Sequence, residues 1–153
     1  MYTRILVAID ESAGSGHAVK HAADLARGLS AALRIIHVLD MGWLPLAPEL
    51  AIDIDTIAKA RRAAGERVLA AAREHVRTTG VAAEIKLLET TAPTQHIAAA
   101  IADEAAHWPA DVVVLGTHGR RGAERLLLGS VADGVARLSA VPILLVPRPG
   151  SGM

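Results

Sequence analysis

Residues 112–130 read VVVLGTHGRRGAERLLLGS. Val112–Leu115 is a short run of four apolar residues, three of them β-branched, which predicts a strand buried on both faces, as in a parallel sheet. Gly116 ends it, and a loop follows through Thr117, His118, Gly119, Arg120, Arg121 and Gly122. Gly129 and Ser130 then open a helix predicted to run to Ser139. Outward from this stretch the same alternation repeats. Ile5–Ile9, ended by Asp10, reads as a first strand, Leu33–Leu39 as a second, Val81–Leu88 as a third and Val141–Val146 as a fifth. Between them, helical spacing of apolar residues predicts helices over His17–Leu29 and Ile54–Thr79, and one opened by Pro93 and running to His107. Met41–Asp53, with Gly42, Pro45 and Pro48, reads as a long loop.

This order predicts a single α/β domain over residues 1–153. Five parallel strands alternate with four helices, and right-handed crossovers limit the topologies. The doubly wound solution has strand order 3-2-1-4-5 with helices on both faces. Strands 1 and 4 are then adjacent at the switch point, and ligands bind beyond their carboxyl ends. The residues after strand 1, Asp10 to Ser15, and after strand 4, Gly116 to Gly122, are therefore expected to face each other.

Composition narrows the function classes. The 153 residues carry 16 Lys plus Arg against 16 Asp plus Glu, so bulk charge gives no grip on nucleic acid or an anionic membrane. The chain has no cysteine, which excludes disulfides, thiolate metal sites and a cysteine nucleophile. Aromatic residues are limited to Tyr2, Trp43 and Trp108, too few for a base-stacking platform. No 18-residue apolar run or signal-peptide core appears, so a cytoplasmic location is expected.

The chemistry sits in the two loops at the switch point. Glycines let the main chain approach an oxygen-rich ligand, and a helix N-terminus offers N–H donors with partial positive charge. Gly129, Ser130 and Val131 are thus candidates for a phosphate seat. Asp10 ends in the same crevice. A carboxylate beside a phosphate calls for a ribose hydroxyl or a Mg²⁺ ion between them; otherwise Asp10 is a turn residue next to Ser12. Neither a Walker motif nor Gly-x-Gly-x-x-Gly follows strand 1. His17 and His21 have i, i+4 spacing on one helix but lack further ligands, and a solvated face is expected there. His37, within strand 2, is expected to be a hydrogen-bonded structural imidazole.

The spacing Gly116-x2-Gly119-x9-Gly129-Ser130, with ILVAIDES at the start of the chain and IIHVLD in strand 2, resembles the universal stress protein family from about Arg4 to Pro147. The resemblance to its ATP-binding subgroup implies ATP as ligand, with or without Mg²⁺, and a homodimer formed through strand 5. It implies that Ala8, Ile9 and Asp10 line the adenosine side and that Val38 offers its backbone to adenine. It places Gly116, His118, Gly119 and Arg120 beside the phosphates, with Gly129, Ser130 and Val131 holding them. Ala8 stands where many members have proline. No Glu or Gln stands out to position an attacking water, so a stress or regulatory protein with slow or negligible turnover is expected, with no catalytic residue. The alternatives are an ATPase or nucleotide-using enzyme in the same crevice, and a dimerisation module that binds no nucleotide.

Overall fold

The structure is a computed structural model that describes residues 1–42, 44, 53–117 and 128–148. Its elements are β1 (Arg4–Ile9), α1 (Ala13–Leu29), β2 (Ala32–Leu39), α2 (Ile54–Arg77), β3 (Ala83–Glu89), α3 (Ile97–His107), β4 (Val112–Gly116), α4 (Ser130–Leu138) and β5 (Ile143–Val146). The strands form one parallel sheet in the expected order β3-β2-β1-β4-β5.

The continuous apolar runs are explained by two cores, one on each face. Ile5, Val7, Ile9 and Ile35 pack with Ala18, Ala22 and Ala26 of α1 and Leu69 and Val76 of α2. The alternate residues Leu6, Ala8, Ile36 and Val38 pack with Ala98, Ile101 and Ala105 of α3 and Ala132 and Val135 of α4. The stretches Ile5–Ile9 and Val112–Leu115 are therefore apolar at every position, and each large residue fully buried contributes about 1.5–3 kcal/mol. Small residues let the helices approach. A Cβ on Gly134 would come within 2.6 Å of the Ala98 Cβ, so α3 and α4 touch at that point. Gly80, with φ of 86°, ends the α2 region in the left-handed conformation that glycine adopts without penalty.

β3 begins at Ala83 rather than Val81 and α2 ends at Arg77 rather than Thr79, and three further boundaries differ from the sequence expectation. α1 begins at Ala13 rather than His17, because hydrogen bonds among Asp10, Ser12 and Ser15 support a first turn that Gly14 and Gly16 would disfavour. α3 begins at Ile97 rather than at Pro93. Pro93 lies in a preceding turn, closed by the Gln95 N–H to the Ala92 carbonyl at 3.0 Å and by Gln95 Oε1 accepting from the Thr91 N–H. β5 begins at Ile143, after Pro142. Ile54, assigned to the apolar stripe of α2, is 40% exposed at the helix start.

The α3 face also contains an ion network. Glu104 is buried and accepts from Arg34 Nη1 at 2.7 Å and Lys86 Nζ at 3.0 Å. Arg34 also pairs with Glu84, and its guanidinium lies 4.6 Å from the Trp108 ring centroid. At the amino edge of the sheet, Asp111 Oδ2 accepts from the Thr3 N–H at 2.7 Å, the Arg4 N–H at 2.9 Å and the Thr3 hydroxyl at 2.9 Å. The two backbone donors and then the hydroxyl hold the Asp111 carboxyl below its ordinary value.

Candidate functional site

The β1–β4 register, Ile5 with Val112 through Val7 with Val114, directs the ends of both strands to one crevice at the carboxyl edge of the sheet. Two helices begin there. At α1, Asp10 Oδ1 accepts from the Ser12 N–H at 2.7 Å and the Ser15 hydroxyl at 2.8 Å, and Ser15 Oγ is 2.7 Å from the Asp10 N–H. The Ser15 N–H returns to the Ser12 carbonyl at 3.2 Å. Asp10 is half-buried, and it places a carboxylate against the positive end of α1.

α4 begins differently. Its N-cap is Gly129, which has no side chain with which to cap the helix. The Gly129 N–H donates to the Thr117 carbonyl at 2.8 Å, and the Thr117 N–H donates to the Val146 carbonyl at 3.1 Å. The exit of β4, the start of α4 and the end of β5 are thus joined by main-chain bonds. Asp133, the acid of the first turn, is paired with Arg137 at 3.0 Å, one turn further along the helix. Ser130 is exposed and Val131 is half-buried against the α3–α4 core.

The remaining candidates sort by face. Ala8 and Val38 are buried in the α3–α4 core, while Ile9 belongs to the α1–α2 core. A contact between Val38 and a ligand in the crevice therefore falls to its main chain. Gly116 is half-exposed at the end of β4. His118, Gly119 and Arg120 lie outside the described residues. His37 is buried, with Nδ1 2.8 Å from the Ile9 carbonyl, the structural role its place in β2 suggested.

A groove of about 390 Å³ opens beside the crevice, between α1 and α2. It is lined by Ile9, Asp10, Ser12, Ser15, Val19 and Val68, among others, and so shares the end of β1 and the start of α1 with the crevice. Among the described residues, no three His, Cys, Asp or Glu side chains gather as a metal site. The His17 and His21 rings meet edge to face, with centroids 4.8 Å apart. Among the described residues no helix is long and apolar enough to cross a membrane.

Two residues here were not singled out from the sequence as parts of the site. Ser15 bonds the Asp10 amide and carboxylate five residues back, a link that no capping spacing marks. Thr90, directly after β3, gave no signal in the sequence; it is buried beside the end of β2, where its N–H donates to the Leu39 carbonyl at 2.9 Å.

The structure is a five-stranded doubly wound α/β domain whose switch point, where such folds bind ligands, lies between the ends of β1 and β4. The chain belongs to the universal stress protein family, whose model matches residues 1–147. It is 31% identical over 154 residues to the universal stress protein YxiE of Bacillus subtilis, covering 95% of this chain and 99% of that one. A universal stress family structure from Burkholderia pseudomallei is 30% identical with a TM-score of 0.77, covering 96% of this chain and 97% of that one. The Archaeoglobus fulgidus universal stress protein in complex with dAMP is 25% identical with a TM-score of 0.66, covering 94% of this chain and 97% of that one. A universal stress protein in complex with cAMP is 25% identical with a TM-score of 0.67, covering 95% of this chain and 97% of that one.

Proposed function

We propose that this protein is an ATP-binding regulatory member of its family, which retains nucleotide with slow or negligible turnover and responds through its dimer or partner state. The observation that carries the reading is the start of α4. Its glycine N-cap is tied to the exit of β4 at 2.8 Å, inside the glycine spacing that marks the ATP-binding subgroup. An anion at that point would meet first-turn N–H groups and the positive end of the helix without displacing a capping side chain. The dAMP and cAMP complexes of similar proteins support adenine as the base.

In this reading Gly129, Ser130 and Val131 hold the phosphates, with Gly116, His118, Gly119 and Arg120 beside them. Ala8, Ile9 and Val38 border the adenosine. Asp10 meets the ribose or a nucleotide-bound Mg²⁺. Affinity lost in Asp10→Ala both with and without Mg²⁺ assigns it to the ribose; loss only with Mg²⁺ assigns it to the metal. Mass spectrometry of small molecules released from the denatured protein is the primary test. Recovery of ATP supports the reading, and a purified protein that neither carries nor binds ATP overturns it. Steady phosphate release well above once per minute would instead indicate an enzyme.

The dimer rests on β5. It is an edge strand, and Leu144 is 40% exposed on it with Ile143 and Leu145 half-buried. An exposed apolar edge is a template for pairing, and a two-fold copy would cover both edges at once. Leu144→Asp should yield a monomer by sedimentation, and a concentration-independent species near 16 kDa for the unmodified chain would exclude the dimer.

A further inference from the structure

We infer that Thr90 is the positioning residue for base recognition: from the end of β3 it sets the main chain on which adenine would be read. The inference rests on the nucleotide reading and adds to it a residue that reaches the base only through the backbone of β2.

The ladders of β2 end at different heights. Its pairing with β1 stops at Ile9 with His37, while its pairing with β3 continues through Val38 with Leu88 to Leu39 with Glu89. Val38 and Leu39 therefore extend past the β1 ladder on the side facing the crevice, while β3 still holds them from the other side. Main-chain groups at such a step can read the edge of a base, provided their direction is fixed.

Thr90 supplies that constraint. It is 1% exposed, and its N–H donates to the Leu39 carbonyl at 2.9 Å. Its hydroxyl donates to Asp40 Oδ1 at 3.1 Å and accepts from the Met41 N–H at 2.9 Å and the Gly42 N–H at 3.2 Å. A hydroxyl has one proton and two lone pairs, and all three are used here. Four consecutive residues, Leu39 to Gly42, are thus fastened to one side chain and its own amide. The corner is closed from outside as well: a Cβ on Gly42 would fall 2.3 Å from the Ala92 carbonyl oxygen. From inside, Leu39, Met41 and Leu44 are buried with Ala58 of α2. The segment is pre-organised before any ligand arrives, which reduces the ordering cost of binding.

The test is titration calorimetry of the full chain with ATP, GTP and inorganic tripolyphosphate. Thr90→Val keeps the shape and removes the hydroxyl, leaving two buried N–H groups without their acceptor. ATP affinity should fall about tenfold and the preference for ATP over GTP should shrink, while tripolyphosphate affinity stays within about twofold. Thr90→Ser restores the hydroxyl and should recover both affinity and preference. If Thr90→Val does not fold, the exposed Asp40→Ala removes only the acceptor of the Thr90 proton; a smaller loss confined to ATP then supports the inference. Equal losses for ATP and tripolyphosphate, or an unchanged ATP-to-GTP ratio in the folded variants, would overturn it while leaving the nucleotide reading intact. An unmodified chain that binds no ATP would overturn both.

Discussion

The two helices that begin at the crevice differ in how their N-termini are satisfied. The start of α1 is closed on itself: Asp10, Ser12 and Ser15 exchange short hydrogen bonds, and a carboxylate faces the helix dipole. The start of α4 has a glycine where a capping side chain would be, and its first-turn acid pairs with Arg137 further along. Both ends present the same backbone groups, but the acid at the second, Asp133, is neutralised by Arg137. Neither N-cap side chain bonds a first-turn N–H, so the difference lies in the carboxylate that Asp10 holds at the start of α1 and that the start of α4 does not have as a neighbour among the described residues of its preceding turn. Asp10 is then the negative wall of the crevice and α4 its positive one.

The strongest way to break this contrast is Gly129→Val. Gly129 has φ of −58° and ψ of 152°, angles that any residue adopts, so the substitution imposes no left-handed strain. ATP affinity should fall about 100-fold, or ~2.7 kcal/mol, more than the roughly 1 kcal/mol of stability expected from a poorer N-cap. Calorimetry showing the unmodified affinity would remove α4 as the phosphate seat. Asp10→Ala tests the other wall and should act on both properties. It removes the acceptor of two hydrogen bonds at α1, costing about 1–3 kcal/mol of stability, and weakens ATP binding by a similar amount. A loss of stability alone would reduce Asp10 to a capping residue.

Ser15→Ala sharpens the comparison further. It takes away the hydroxyl that bridges the Asp10 amide and carboxylate and should cost about 1 kcal/mol in urea unfolding. ATP affinity should change less than in Asp10→Ala, because the carboxylate remains. The smallest effect is expected at the opposite edge of the sheet, where Asp111 gathers donors from Thr3 and Arg4 much as Asp10 does at α1. Its carboxyl is held below the ordinary value, so its contribution is present above the unfolded pKa of about 3.9 and is lost as pH falls through the folded value. Unfolding measured across that acid window should show a pH-dependent increment that Asp111→Asn lacks. An identical slope in both proteins would exclude the role.

β1 and β4 were legible because burial on both faces leaves no polar position: Ile5–Ile9 and Val112–Leu115 read as strands from their composition alone. Gly80 and Gly129 were legible for a similar reason, since chain conformation and helix starts select residue types locally. Helix starts were read less well where a side chain several residues away completes the cap. Ser15 closes back on Asp10 and extends α1 by a turn that its glycines conceal. Pro93 resembles a helix opener, but the Gln95 side chain stabilises a turn around it, and α3 starts only at Ile97. The Arg34–Glu104–Lys86 network was not legible, since its members are 70 and 18 residues apart and become neighbours only when β2, β3 and α3 pack.

By itself, then, the sequence determined the element order, the parallel sheet, the switch point and the glycine spacing of α4. Each depends on residue type against local backbone or on an apolar run long enough to be buried. Only the tertiary structure decided that the Asp10 carboxylate bonds Ser12 and Ser15 at the start of α1 and that Asp133 of α4 pairs with Arg137. It alone showed that β2 outlasts β1 at the crevice and that Thr90 fastens the overhang. These properties depend on directed hydrogen bonds between residues up to 50 positions apart. Their distances and angles exist only after the sheet has set its registers, so residue type and spacing cannot specify them in advance.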